Sequence, residues 1–174
     1  MDSKDYMKIS KTGQKQLHLR VLPDPVLRKV CMDIEVFDKR LQDFSRRMLS
    51  FMKKVKGIGL AAPQVGETHR IIAVGIHAQG KVLVNPSYVP ILTDSDTKME
   101  GCLSIPDETV NVSRLFRIEV RAHDTEGNVL HFAAHDILAR VIQHEVDHLD
   151  GVLICDKNPD GTGNRERNIY NTNI

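Results

Sequence analysis

Cysteine is scarce. Three occur in 174 residues, Cys31, Cys102 and Cys155, an odd number with no paired spacing. That argues against a disulfide-stapled scaffold. No stretch approaches the ~20 consecutive apolar residues needed to span a membrane as a helix. Residues 1–16 are polar, with Asp2 and Asp5, and lack the apolar region of a signal peptide. Charge of one sign is missing too: 24 Lys and Arg face 23 Asp and Glu, a net charge of +1, so there is no broad basic field for nucleic acid. Internal repeats are absent. What remains is 41% hydrophobic and 27% charged, the balance of an ordinary globular domain. A single domain is expected over 17–156, between a polar N-terminal extension (1–16) and a polar tail (157–174).

Against this plain background one segment stands out, His144-Glu145-Val146-Asp147-His148. On an α-helix, positions i and i+4 share a face, so both imidazoles can reach one metal ion. Glu145 is rotated from that face by roughly 100°, beside a metal and not on it. A hydrolase that activates a metal-bound water needs this arrangement. The local sequence supplies the helix. Ile137 to Leu149 contains no Gly or Pro, Asp136 is the expected N-cap, and Gly151 ends the run. Ile137, Leu138, Val141, Ile142, Val146 and Leu149 make a broad apolar surface, which predicts a buried helix.

A catalytic site of this kind normally has three protein ligands and an open position. A further downstream His would have to stand where Ile154 is, and the only later Glu is Glu166, in a polar tail. The first option fails and the second is weak, which turns attention to cysteine or an upstream residue. Spacing does not choose among the three cysteines. Cys31 lies between short segments and Cys155 at the end of an expected Val-Leu-Ile strand. Cys102 differs in its surroundings, Glu100-Gly101-Cys102-Leu103-Ser104-Ile105-Pro106, where Gly permits close backbone approach and Pro restrains the following chain.

Elsewhere the periodicities point to an α+β fold. Leu41, Phe44, Met48, Phe51, Met52 and Val55 repeat at helical spacing over Asp38 to Lys56. Arg46-Arg47 and Lys53-Lys54 belong to the wet face of that helix. Ile71–Ile76 and Lys81–Asn85 read as a hairpin around Ala78-Gln79-Gly80. Leu115 to Ala122 alternates as a half-buried strand. Asp124 to Asn128 then turns the chain into a strand at Val129–Phe132. His18, His69, His77, His123, His131 and His135 have no partner spacing and no assigned site role.

Three segments together resemble the signature motifs of the peptide deformylases, in order and without a gap: Gly57-Ile58-Gly59-Leu60-Ala61-Ala62-Pro63-Gln64, Glu100-Gly101-Cys102-Leu103-Ser104, and Gln143-His144-Glu145-Val146-Asp147-His148. The resemblance runs from about Leu17 to Asp156. The Glu-Gly-Cys-Leu-Ser form looks like the branch found in many Gram-negative bacteria and organelles. The resemblance implies antiparallel strands packed around a buried metal-binding helix. It implies that Cys102, His144 and His148 bind the metal, that Glu145 is the general acid/base, and that Gln64 and the Leu103 backbone N–H stabilise an oxyanion. Gly59 would dock substrate beside the metal. The implied ion is Fe2+, with Zn2+, Ni2+ or Co2+ as substitutes.

The implied reaction is hydrolysis of the formamide on the N-terminal methionine of a new polypeptide, in the cytoplasm of a bacterium or of a virus's host. Ile58, Leu60, Ile137 and Val141 lie beside the motifs and are candidates for the methionine pocket. Glu100 and Arg114 are expected to form a buried ion pair that orients the metal ligands. Many bacterial members of the family continue into a long C-terminal helix, which in some helps docking to the ribosome. Asp156 to Ile174, rich in Asn, Gly, Asp and Arg, instead reads as coil. Two competing readings are a zinc peptidase built on the same helix motif, and an inactive homologue that only binds formyl-methionyl peptides or a partner.

Overall fold

The computed structural model describes residues 16–75 and 80–157. Helix α1 spans Lys39–Lys54. Asp38 starts it: its Oδ1 accepts from the backbone N–H of Arg40 (2.9 Å) and Leu41 (3.1 Å), satisfying two donors that have no partner within the helix. Leu41, Phe44, Met48 and Met52 are buried as their spacing predicts, while Phe51 and Val55 are half-buried at the margin.

Seven strands follow: β1 (Gly59–Ala61), β2 (Ile71–Gly75), β3 (Gly80–Pro90), β4 (Ser95–Cys102), β5 (Ile105–Leu115), β6 (Arg117–His123) and β7 (Val129–His135). Five make one antiparallel sheet in the order β1-β2-β3-β6-β7, and β4 pairs with β5 alone. Helix α2 (Asp136–Leu149) follows β7 directly.

Alternation along β2 and β3 explains the layering, since successive side chains leave opposite faces of a sheet. Ile72, Val74 and Leu83 pack with Ile142, Val146 and Leu149 of α2. Ile71, Ala73 and Val84 pack with Leu41, Phe44 and Met48 of α1. The sheet thus lies between the helices. A third cluster, Leu27, Cys102, Ile105, Val110, Val112, Leu153 and Ile154, joins the β4–β5 hairpin to two short 3-10 turns, Pro25–Arg28 and Ile154–Lys157. No helix among the described residues is long and apolar enough to cross a membrane.

Several expectations need correction. Asp136 has φ 50, and its carboxylate accepts from Lys98 Nζ at 2.9 Å; the capping position is His135, whose side chain makes no capping hydrogen bond. Cys155 sits in the 3-10 turn and not at the end of a strand. Leu115 closes β5, and β6 begins at Arg117. The β4–β5 hairpin has no counterpart in the sequence reading. β2 and β3 do pair, with Gly75 opposite Gly80. Ala78 and Gln79 of the expected turn lie outside the described residues, as do His77 and most of both polar ends.

Candidate active site

Helix α2 carries His144 and His148 one turn apart, with ring centroids 5.1 Å from each other. Cys102 enters from the end of β4, held in place by the bulge where Cys102 pairs with Ile105 across the Leu103-Ser104 turn. Its Sγ lies 3.2 Å from His148 Nε2. One side-chain donor atom from each of Cys102, His144 and His148 falls within 4.8 Å of the others, and among the described residues no other His, Cys, Asp or Glu trio gathers so tightly.

The surroundings hold this trio from behind. His144 Nδ1 is 3.0 Å from Glu100 Oε2. Arg114 grips the same carboxylate through both oxygens, Nε to Oε1 at 3.0 Å and Nη2 to Oε2 at 2.9 Å, and its Nη1 pairs with Asp147. The expected Glu100–Arg114 pair is therefore present and buried. Burial alone would raise the Glu100 pKa, but the hydrogen bonds from His144, Arg114 and Arg140 outweigh it and hold the carboxyl at about 2.

Glu145 has a different environment. It is 4% exposed, and its Oε2 has no hydrogen-bond partner. Burial pushes its pKa up to about 7, partly offset by the charges of His144 and Arg114. A carboxyl so placed takes up and gives back a proton near neutrality. Gly59 lies directly against it: a Cβ there would stand 2.2 Å from Glu145 Oε1 and 2.8 Å from Val141 Cγ1. Gln64 is buried in the 3-10 turn Ala62–Val65. Its Oε1 accepts from the Ala61 N–H (2.8 Å), and its Nε2 points at Ser104 Oγ (3.2 Å) and Cys102 Sγ (3.7 Å).

These residues wall a cavity of ≈ 570 Å³, within the usual range for a ligand site. Its lining includes Gly59, Gln64, Cys102, Leu103, His144 and Glu145.

The donor set fits a divalent transition metal. Two imidazoles and one thiol suit zinc, iron, cobalt or nickel. Burial and the neighbouring positive charges of His144 and Arg114 hold the His148 pKa well below normal, leaving the ring neutral with a lone pair to give. Burial would lower His144 as well. The Cys102 sulfur, Glu100 and Glu145 override it and raise His144 to about 10.

Residues 16–162 match the family model for polypeptide deformylase. The chain belongs to the peptide deformylase family. A peptide deformylase of Dictyoglomus thermophilum is 42% identical over 139 residues, 80% of this chain and 90% of that protein. The crystal structure of the Thermotoga maritima peptide deformylase superposes with TM-score 0.80 at 38% identity, covering 83% of this chain and 98% of that one. A probable peptide deformylase from Synechococcus phage S-SSM7 gives TM-score 0.77 at 33% identity, covering 81% and 99%. The α+β architecture is thus that of the deformylases. Membership makes the chain a hydrolase of protein biosynthesis and a metal-binding enzyme.

Among the deformylase pocket candidates, Val141 lines the cavity wall, and Ile58 and Ile137 line its rim, 55% and 48% exposed. Leu60 is a correction. It is fully buried and packs in the α1-side core, because alternation along β1 turns it away from the face that carries Gly59. Met99, Arg140, Asp147 and Ser104 were not anticipated at the site. Arg140 carries one legible signal: it stands four residues before His144, on the same helix face.

Proposed function

We propose that Cys102, His144 and His148 hold one divalent ion, Fe2+ physiologically, with Zn2+, Ni2+ or Co2+ able to replace it. We propose further that the enzyme removes the formyl group from the N-terminal formylmethionine of newly made polypeptides. The observation that carries this reading is the tight Cys-His-His trio beside a buried, unpartnered Glu145 in the wall of the cavity. When bound, the cation supplies Lewis acidity, which lowers the pKa of a neighbouring water toward ~7.

The chain's own groups do the rest. Glu145 takes a proton from the attacking water and returns one to the leaving amine as the formyl C–N bond breaks, giving formate and a free N-terminus. Gln64 Nε2 and the Leu103 backbone N–H donate to the oxygen that gains negative charge. Gly59 offers its backbone edge to the peptide, and the absence of a Cβ keeps that edge open beside Glu145. Val141, Ile137 and Ile58 receive the methionine side chain. Glu100, anchored by Arg114, fixes the His144 ring through Nδ1. A Glu100→Gln protein with unaltered activity and metal content would remove that role.

The partner is the formylated nascent peptide in the cytoplasm; no docking to the ribosome through a long C-terminal helix is invoked. Mass analysis of the products from formyl-Met-Ala-Ser and from longer formylated peptides tests the reading. Loss of the formyl group with every internal amide intact is the expected result. Internal cleavage would instead identify a peptidase, and an unchanged peptide a binding-only protein. Glu145→Ala should retain the metal and lose turnover by about 10²–10⁴-fold; undiminished turnover would remove Glu145 from the mechanism.

A further inference from the structure

Arg140 lies one helical turn before His144 and two before His148 on α2. It is 9% exposed, and its guanidinium reaches out of the helix into the two-stranded hairpin. Nη1 donates to Glu100 Oε1 at 2.6 Å and to the Val112 carbonyl at 2.9 Å. Nη2 donates to the Asp96 carbonyl at 2.8 Å and to Asp96 Oδ1 at 2.6 Å. One side chain therefore ties α2 to both strands of the hairpin that ends in Cys102.

The distribution of contacts on Glu100 gives this more weight. Oε1 is shared by Arg114 and Arg140, and Oε2 by Arg114 and His144. Arg114 reaches this carboxylate from β5, and Arg140 reaches it from α2. Loss of the α2 arm leaves Oε1 with a single donor and strips the buried Val112 carbonyl of its Arg140 partner. The hairpin is also no member of the five-stranded sheet. On one side an apolar cluster with the terminal turns holds it. On the other, polar fastenings join it to the helix that carries both histidines: Gln143 bonds the Leu115 backbone at the far end of β5 and Lys98 pairs with Asp136, while Arg140 and Arg114 are the ones that also hold Glu100.

We propose that Arg140 is a positioning residue for the metal centre: it sets the separation between the cysteine-bearing hairpin and the histidine-bearing helix, and steadies the carboxylate behind His144. This rests on reading Cys102, His144 and His148 as the metal site. The role requires arginine. Four acceptors on three residues match a planar fork with several fixed N–H directions, and a single ammonium nitrogen cannot reach all of them.

Cobalt makes the test direct, because thiolate-to-cobalt absorption reports the cysteine–metal bond whether or not the enzyme turns over. Wild type, Arg140→Met, Arg140→Lys and Asp96→Ala are loaded with Co2+, and folding is checked by circular dichroism and thermal melting. Excess chelator is then added and the decay of the band is followed. Arg140→Met is expected to lose cobalt about 10–100-fold faster than wild type, the range for supporting groups behind metal ligands, with an altered band. Arg140→Lys should fall between the two. Asp96→Ala, which removes one acceptor at the exposed end of the clasp, should release cobalt several-fold faster. Adding Glu100→Gln to Arg140→Met should accelerate loss by less than the product of the two single effects.

A folded Arg140→Met protein with the wild-type band and decay overturns the proposal. If Arg140→Met does not fold, a wild-type decay in Asp96→Ala overturns it instead. A wild-type protein that takes up no cobalt contradicts the metal-site reading itself, a separate result.

Discussion

Gly59 is defined by what cannot be added to it. Its backbone needs no left-handed conformation, yet a Cβ would stand 2.2 Å from Glu145 Oε1, far inside contact distance. Gly59→Ala must displace either the Glu145 carboxylate or β1. Misplacing a reacting group by about 1 Å can cost about 10²-fold in rate, so a fall in kcat of at least that order is expected, with metal content unchanged by elemental analysis. An alanine enzyme with wild-type kcat would show that Glu145 can move aside at no cost. The histidines, Glu145 and the helix beneath them are legible in the sequence because helical spacing alone puts His144 and His148 on one face. Cys102 is not legible in that way: a contact spanning 46 residues leaves no local period, its Gly- and Pro-flanked surroundings only favour it over Cys31 and Cys155, and the resemblance is what selects it. Arg140 is hidden for another reason. An arginine on an amphipathic helix reads as solvated until the hairpin that supplies its acceptors is known.

Elements differ in how much of their structure their sequence declares. Helix α2 has six apolar residues at helical spacing and is found where they predict it. The hairpin is less visible. Of β4's Ser-Asp-Thr-Lys-Met-Glu-Gly-Cys only Glu100 and Cys102 are buried, so no apolar alternation marks it. β5 does alternate, with Val110, Val112 and Arg114 inward, but one inward position is a charge neutralised by Glu100 and Asp147. Ile142 is fully buried between α2 and the sheet. Ile142→Ala should cost about 2–5 kcal/mol of stability in urea unfolding; a loss well below that range would mean the interface collapses around the cavity. The turns at the two ends of the domain meet through Arg28 and Asp156, with Arg28 Nη2 donating to Asp156 Oδ1 at 3.1 Å. Burial raises the Asp156 pKa, but the Arg28 side chain and the Leu153 N–H outweigh it and lower the value. A carboxyl depressed in the folded state contributes stability above its unfolded pKa and loses it as pH falls through the folded one. Asp156→Asn should therefore shrink the drop in melting temperature between about pH 6 and about pH 3. An equal drop in both proteins would show that the link contributes nothing.

At the scale of the molecule, the sheet held between α1 and α2 is a frame, and the hairpin is an attachment. The frame contributes the two histidines, Glu145 and Gly59; the attachment contributes Cys102 and Leu103. The cavity lies where the two meet. Neither part alone carries the trio, so an ion held at the proposed Cys102, His144 and His148 site would couple hairpin to frame and complete the site in one event. Titrating metal-free protein with Fe2+ under exclusion of oxygen, or with Ni2+, while measuring formate released from formyl-Met-Ala-Ser, tests this most directly. Formate release should rise in proportion to added metal, level off at one ion per chain, and stay at background in Cys102→Ala at the same metal concentration. Release that needs no metal, or that Cys102→Ala supports as well as the wild type does, would contradict the account.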